Sequence, residues 1–349
     1  MRAVRFTGEE RFQFWLKILG SSLFVLIGFS ALVFAGGKAG GGRYEVFDAP
    51  NSSYTYPTGI NDRGEVTGYF FEADHRIRAF VRRPGGLIDV FDAVPGGTET
   101  EPVGINNRGE VGGGGFLRDS GGHITLFSVP GALPGRTFAS GMNDRGSITG
   151  KFIDDVLPLE HGYVRDQRGR FAKFDIPNGS YLQVAGINAR GEVGGTFDDW
   201  TESGKQRIFV RDARGTFTIL DVPHGTPWVS GINNSGEIAG MYVLPSTEGG
   251  EIFGFFRDQR GTLVDLGIPN PDVTGLNNQG EVVGIFSNPE KDGKTCGFIW
   301  SPQGTTTILD YPNAAATYAY SVNDRGQVAG AFDVAGAGSQ RRGFVYTEF

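Results

Sequence analysis

A ten-residue run rich in glycine and asparagine recurs seven times along the chain. Its first copy reads GINDRGEVTG and spans residues 59–68. The other copies begin at Gly104, Gly141, Gly186, Gly231, Gly275 and Ser321, so the intervals are 45, 37, 45, 45, 44 and 46 residues. Regular spacing of this kind indicates a repeat architecture, in which each copy is one supersecondary unit that cannot bury its apolar face alone.

Each unit offers four short extended segments. The first leads into Gly-Ile-Asn, and the second is Glu-Val-x-Gly or a relative of it. The third carries a small residue or Ile before an aromatic residue, as in AFVRR at 79–83, and the fourth ends near proline, as in KFDIP at 173–177. The Asn-Asp-Arg-Gly step suits a tight turn, because Asn and Asp bond their own backbone and Gly takes the left-handed conformation. Four antiparallel strands per unit follow.

Seven such units predict an all-β fold, a seven-bladed β-propeller of four-stranded antiparallel blades. The repeats begin on a fourth-strand segment, YEVFDAP at 44–50, and stop after a third-strand segment, GFVYTEF at 343–349. We therefore expect the N-terminal strand to pair with the C-terminal blade, which closes the ring and leaves no open sheet edge. An open solenoid is the alternative, and it would need atypical units at its ends.

The N-terminal stretch is typical of a secretory signal peptide. Residues 1–17 hold four basic and two acidic residues, and an uncharged, mostly apolar stretch follows at 18–35. We predict a signal peptide at 1–35, a Gly-rich linker at 36–43 and the propeller at 44–349. The alternative is an uncleaved anchor, because 18 such residues approach the length of a membrane span. Either interpretation predicts a secreted, periplasmic or cell-surface protein.

The composition excludes several classes of function. The net charge of −7 lacks the positive field that nucleic-acid binding needs. The single cysteine, Cys296, cannot form an intramolecular disulfide, and we expect it to be a buried thiol. No Cys/His spacing indicates zinc, and no acidic spacing matches the helix-loop-helix calcium pattern, so we assign no metal site. Calcium binding by the Asp-rich loops stays open, and no cofactor motif is present.

With these markers in view, the chain resembles the HAF repeat family of probable extracellular repeat proteins. The resemblance covers nearly all of residues 44–349. The family is named for a His-Ala-Phe-like step, of which this sequence keeps the His only in His161-Gly162-Tyr163. The resemblance implies export and repeats, but it brings no established activity and no functional residues.

Candidate binding residues fall in the loops that vary between units, which share one face of the predicted propeller. Variable loops on a uniform scaffold are the usual place for binding. The variable loops contain the aromatic residues Tyr54, Tyr56, Tyr181, Trp200, Trp228, Tyr318 and Tyr320, and the acidic residues Asp74, Asp154, Asp155, Asp198, Asp199 and Glu202. From these we select as speculative ligand-binding residues Asp155, Asp198, Asp199, Trp200, Trp228, Tyr181 and Tyr320. Ordinary solvated loops remain the alternative.

Two functions stay open at this stage. The first is an exported, non-catalytic binding or interaction module for a glycan or a peptide, with a carbohydrate or another surface protein as partner. Any contact with a membrane would then be made only through residues 18–35, if these are uncleaved. The second is a polysaccharide lyase or hydrolase that uses acidic loop residues. The pairs Asp154-Asp155 and Asp198-Asp199 are weak acid/base candidates, because neighbours in sequence usually point apart while glycoside hydrolysis needs two carboxyls facing one bond. We assign no catalytic residue.

Overall fold

The computed structural model describes residues 38–39, 41–72, 74–156, 159–222, 225–245, 250–336 and 340–349. The predicted signal peptide at 1–35 lies outside the described residues. Besides strands and turns, the described part holds two short 3-10 helices, Trp200–Glu202 and Pro289–Lys291. None of its helices is long and apolar enough to cross a membrane.

The strands follow the repeats closely. Two strands precede the first repeat: β1 Lys38–Ala39 and β2 Gly42–Phe47. Unit 1 contains β3 Tyr54–Ile60, β4 Val66–Phe71, β5 Ile77–Arg82 and β6 Ile88–Phe91. Unit 2 contains β7 Pro102–Ile105, β8 Val111–Gly113, β9 Phe116–Arg118 and β10 Ile124–Leu126. Unit 3 contains β11 Ala132–Met142, β12 Ile148–Asp154, β13 Glu160–Arg165 and β14 Phe171–Phe174.

The second half of the chain repeats the pattern. Unit 4 contains β15 Gly179–Ile187, β16 Val193–Asp199, β17 Lys205–Arg211 and β18 Phe217–Leu220. Unit 5 contains β19 Thr226–Ile232, β20 Ile238–Val243, β21 Ile252–Arg257 and β22 Leu263–Asp265. Unit 6 contains β23 Asp272–Leu276, β24 Val282–Asn288, β25 Lys294–Trp300 and β26 Thr306–Leu309. Unit 7 contains β27 Ala314–Val322, β28 Val328–Val334 and β29 Arg341–Glu348.

Within each unit, consecutive strands pair antiparallel, as predicted, but the sheets do not form seven separate blades. Units 2 to 5 form four separate four-stranded sheets, and unit 6 forms a fifth with β1 added parallel to β26. The strands of units 7 and 1 belong to one eight-stranded sheet. A single parallel bridge between Arg341 and Tyr54 joins them, since the Arg341 backbone N–H donates to the Ser53 carbonyl at 2.9 Å. The described strands thus give five separate blades and one double sheet.

The N-terminal strand pairs with the C-terminal one, which is the closure that the sequence predicted. β2 runs antiparallel to β29, and the register places Tyr44 opposite Tyr346. β2 therefore supplies the fourth strand that unit 7 lacks. The stretch 36–43, predicted as a linker, contains β1 and the first residues of β2. Residues 38–39 are ordered as a strand because β1 pairs with β26 at the outer edge of unit 6.

Apolar side chains fill the space between neighbouring units. One buried cluster joins Phe70 and Phe80 of unit 1 to Ala329 and Val345 of unit 7. Arginines reinforce several of these interfaces: the Arg118 guanidinium, for example, lies 4.9 Å from the centre of the Phe91 ring of the preceding unit. Each unit thus buries its faces only against its two neighbours, as expected of a stacked repeat.

The Asn-rich turns link the units at one end of the molecule, which we call the turn end. In unit 4, the Asn188 Oδ1 accepts hydrogen bonds from the backbone N–H groups of Arg190 and Glu192, both at 3.0 Å. The Asn188 Nδ2 donates to the Asn233 carbonyl of the next unit at 2.9 Å. The same link to the next unit, at 2.8 to 3.3 Å, starts from Asn61, Asn106, Asn143, Asn233, Asn277 and Asn323. The last link returns from Asn323 to Asn61 and closes a ring through all seven repeats.

Candidate functional site

The first strands of the seven units surround a central channel. Each contacts the first strand of the next unit, and β27 of unit 7 contacts β3 of unit 1. The turn end surrounds one mouth of this channel. The loops that vary in sequence surround the other mouth, which we call the variable mouth.

One level of the variable mouth can be read from the strand register. In every unit, one residue of the first strand pairs with the last glycine of the second strand, as Val229 does with Gly240. The residue just before it is solvent accessible in every unit, whereas the residue one place further back is buried in every unit. Since the first strands are innermost, we assign these accessible side chains to the channel wall. They form the mouth ring: Tyr56, Glu101, Phe138, Gln183, Trp228, Asp272 and Tyr318.

The second-strand glycines fix the backbone of the mouth ring. A Cβ added to Gly240 would overlap the Trp228 carbonyl oxygen, and one added to Gly284 would overlap that of Asp272. The first strand bulges just beyond this point, between Val229 and Gly231 in unit 5. A glycine is required there because the backbones approach too closely for any side chain. The repeated scaffold therefore presents six types of side chain at the same place in the seven units.

Where units 7 and 1 meet, the mouth ring joins a cluster of tyrosines around one arginine. The Arg341 guanidinium lies 4.1 Å from the ring centre of Tyr318 and 5.0 Å from that of Tyr56. It forms a two-pronged ion pair with Asp333, at 2.7 and 2.9 Å. A further bond of 3.3 Å joins it to the hydroxyl of Tyr320. We call Tyr54, Tyr56, Tyr69, Tyr318, Tyr320, Asp333 and Arg341 the tyrosine–arginine cluster.

Burial sets the charge states within this cluster. It raises the pKa of Tyr56, Tyr318 and Tyr320 above 10.0, so that the hydroxyls stay protonated. The Tyr318 hydroxyl donates to Asp333 at 2.8 Å. Burial alone would lower the pKa of Arg341, but the hydrogen bonds with Asp333 and the neighbouring Tyr320, Tyr318 and Tyr56 together outweigh burial and hold that pKa above the ordinary value. The arginine is thus a permanent charge whose counter-charge is already in place.

Two carboxylates of the mouth ring lack such compensation. Neither Asp272 nor Glu101 makes a side-chain hydrogen bond or ion pair with another described residue. Asp272 is solvent accessible, yet surrounding protein raises its pKa to about 6, with no contribution from a neighbouring charge. Partial burial and then Glu99 raise the pKa of Glu101. In ring order, these two carboxylates flank the Tyr318–Tyr56 pair, one on each side.

The structure gathers four of the predicted ligand-binding residues at the outer rim of unit 4. Trp200 and Tyr181 are 65% and 70% exposed, and the Trp200 indole N–H donates to the Ser180 hydroxyl at 2.8 Å. Asp199 caps the 3-10 helix Trp200–Glu202. Its hydrogen bonds with Thr201, and then its bond with Arg207 at 3.0 Å, lower its pKa. Asp198 accepts only a long bond of 3.5 Å from Gln206. The Asp199 carboxylate is therefore already bonded to Thr201 and Arg207 within its own unit.

The other three predicted residues lie in three different units. Asp155 is an exposed loop residue of unit 3. Trp228 is half-buried and belongs to the mouth ring. Tyr320 belongs to the tyrosine–arginine cluster. The seven residues therefore do not form one site, and their role in binding stays a prediction.

The polar members of the mouth ring and the ion pair of the cluster were not among the residues predicted from the sequence. Asp272 and Gln183 lie in first strands, and Glu101 directly precedes β7. One signal was present: the residue three places before the Gly of Gly-Ile-Asn differs in nearly every copy, whereas its surroundings repeat. Arg341 gave no comparable signal, because its pairing with Asp333 needs the strand register.

A cavity of about 170 Å³ lies at the turn end, lined by the turn residues of all seven units. Many of its polar groups already bond to neighbouring turns. Besides the asparagine links, the Asn107 Nδ2 donates to Asp62 at 2.6 Å, and the Asn278 Nδ2 donates to Asp324 at 2.6 Å. This end has the character of a scaffold, in contrast to the variable mouth. Cys296 is buried, as predicted.

Comparison with known proteins supports the fold. No protein-family model matches the sequence, and no curated protein matches it. A streptogramin B lyase structure is similar with a TM-score of 0.56 and 16% identity, over 87% of this chain and 97% of that one. Virginiamycin B lyase from Staphylococcus aureus gives 0.58 and 15%, over 88% and 99%. Pyrococcus horikoshii acylaminoacyl peptidase gives 0.54 and 9%, over 87% and 53%.

At such identities the likeness shows the fold alone. The chain is an all-β propeller built from four-stranded antiparallel blades.

Proposed function

We propose that this protein is a non-catalytic binding module that takes a carbohydrate chain at its variable mouth. In this proposal the double sheet of units 7 and 1 acts as two blades, so that the propeller works with seven. The signal-like pattern at 1–35 and the resemblance to the HAF repeat family add the proposal that it does so outside the cytoplasm. All three parts are open to separate tests.

The observation that carries the binding proposal is the mix of side chains in the mouth ring. Sugar rings present apolar faces that stack on aromatic rings, and Trp228 offers an indole with no aromatic partner among the described residues. Sugar hydroxyls need donors and acceptors, and Gln183 and Asp272 are accessible and make no side-chain hydrogen bonds within the described part. A concave site with apolar walls and a few convergent polar groups is the usual form of a ligand site.

The test is a titration of the purified propeller with soluble oligosaccharides, followed by calorimetry. We expect saturable binding that Trp228→Ala weakens by about tenfold, the loss of one stacking contact. Trp200→Ala is the matched control, because it removes an indole from the outer rim of unit 4 and should leave the affinity unchanged. If Trp200→Ala abolishes binding and Trp228→Ala does not, the ligand binds at the rim. If no oligosaccharide binds and a peptide does, the carbohydrate proposal fails.

The alternative of a polysaccharide lyase or hydrolase can be tested on the same samples. Lyase names among similar folds carry no argument for activity at the identities observed. The structure adds no support for Asp198-Asp199 as an acid/base pair, because Asp199 forms an ion pair with Arg207. Product formation that Asp198→Ala or Asp155→Ala abolishes would replace the binding module with an enzyme. Binding without product favours the module.

A further inference from the structure

The side of the variable mouth formed by units 5, 6, 7 and 1 combines aromatic faces with uncompensated negative charge. In ring order it presents Trp228, Asp272, Tyr318 and Tyr56. Glu101 of unit 2 follows next. The first strands that carry these residues contact one another from unit to unit. A carboxylate therefore stands between an indole on one side and a phenol on the other.

The arginine of the tyrosine–arginine cluster does not neutralise these carboxylates. Arg341 is 7% exposed at its side chain and is paired with Asp333 in a two-pronged ion pair. Within the described part of the chain, the one cation on a first strand is Arg136, an exposed residue of unit 3, which is three units away from Asp272. The charge of Asp272 thus has no partner among the described residues and is left for a ligand to balance.

Resting on the proposed function, we propose that the carbohydrate bound here carries protonated primary amines, as an amino sugar with free amino groups does. A protonated amine between Trp228 and Asp272 gains a cation–π contact with the indole and donates a charge-assisted hydrogen bond to the carboxylate. Tryptophan is the best of the aromatic residues for this contact. A neutral sugar would fill the same space but would leave Asp272 without a counter-charge.

The surroundings of Asp272 support this assignment. Protein atoms crowd the carboxylate without offering a donor, which is why its pKa rises to about 6. Because this carboxylate is accessible and has no protein donor, it can accept a hydrogen bond from an arriving cation. Asp292, an exposed loop residue of the same unit, serves as the matched control.

The experiment compares two oligosaccharides of equal length, one with N-acetylated amino sugars and one with free amines. Calorimetry is run near neutral pH and at physiological salt, where exposed charges are screened. We expect the free-amine form to bind about tenfold more tightly. Asp272→Asn should remove this preference, Glu101→Gln should reduce it, and Asp292→Asn should leave it unchanged. Circular dichroism of each variant confirms folding.

The remaining outcomes separate the two proposals. If the N-acetylated form binds as well as the free-amine form or better, the amine proposal fails while carbohydrate binding stands. If neither binds, carbohydrate binding itself fails. If the free-amine form binds and Asp292→Asn weakens it as much as Asp272→Asn does, the attraction comes from the general surface charge, and the amine proposal also fails.

Discussion

The two ends of the channel differ in how far their side chains vary from unit to unit. At the turn end, every repeat places the same asparagine in the same place, and the side chain is bonded both within its turn and to the next unit. In the mouth ring at the other end, equivalent positions hold Tyr, Glu, Phe, Gln, Trp, Asp and Tyr. Most of these side chains contribute little to joining the units.

The difference shows which contacts the ring needs for closure. A link that passes from unit to unit works only if each unit supplies the same donor and the same acceptor, so the linking asparagine cannot vary. The mouth ring sits on backbone that the second-strand glycines already hold, and its side chains are free to differ. A fold of this type can therefore change its ligand without changing its assembly.

The largest effect is expected from breaking one turn-end link. Asn233→Ala leaves the backbone N–H groups of Ser235 and Glu237 and the carbonyl of Asn277 without their partner. Since each lost bond costs about 1 kcal/mol, we expect the free energy of unfolding to fall by about 3 kcal/mol. Chemical denaturation of the variant and of the unchanged protein measures this difference in the free energy of unfolding.

The control for this variant is Asn234→Ala in the same turn. Asn234 supplies one bond, accepted from the Ala189 backbone N–H at 2.7 Å. Unit 4 already has alanine at the equivalent position, Ala189, so we expect a loss of about 1 kcal/mol or less. Equal losses for the two variants would mean that the Asn233 link does not hold the ring.

The next effect tests whether the variable mouth also contains a structural joint. Arg341→Met removes the guanidinium between Tyr56 and Tyr318 and leaves Asp333 partly buried without its cation. We expect a loss of about 2 kcal/mol in the free energy of unfolding, because an uncompensated charge remains. The adjacent Arg342→Met is the control: it breaks an exposed pair with Asp48 and should cost about 0.5 kcal/mol or less. If Arg341→Met costs no more than its control, the joint between units 7 and 1 does not depend on this pair.

Much of this fold could be predicted from the sequence, because repeated residues have repeated physical roles. The Asn-Gly turns, the four strands per unit and the pairing of the N-terminal strand with β29 all follow from markers that recur or are missing at the ends. The merging of units 7 and 1 into one sheet could not be predicted. It depends on a single bridge at Arg341, and the repeats give no signal for a contact that occurs once.

The candidate site was harder to predict for the same reason. Loop residues such as Trp200 and Asp199 attract attention because loops vary, but Asp199 is held by its own cap and ion pair. Asp272 lies in a strand, and a single acidic residue in a strand does not by itself indicate a binding site. Its position in the channel emerges only from the register that places Val273 opposite Gly284.

A smaller effect concerns Asp272 and pH. Its pKa is about 6 in the folded chain against an ordinary 3.8. Between these values the folded chain keeps a proton that the unfolded chain releases, so the free energy of unfolding falls as pH rises through this window. Asp272→Asn removes the penalty. Because the side chain reaches solvent, which screens the charge, we expect a gain of no more than about 1 kcal/mol at neutral pH. Denaturation near pH 4 should show no gain; a gain of equal size at both pH values would contradict a role for ionisation.

The smallest effect is expected at the outer rim of the variable mouth, and it completes the contrast with the turn end. Trp200 is 65% exposed, and its one side-chain hydrogen bond, to Ser180, is open to solvent, where water can replace it. Trp200→Ala should therefore change the free energy of unfolding by no more than about 0.5 kcal/mol, as is usual for surface positions. Thermal denaturation beside Asn233→Ala measures the contrast directly. A loss from Trp200→Ala that approaches the loss from Asn233→Ala would mean that the rim, too, holds the propeller together, and the freedom to vary would then belong to the mouth ring alone.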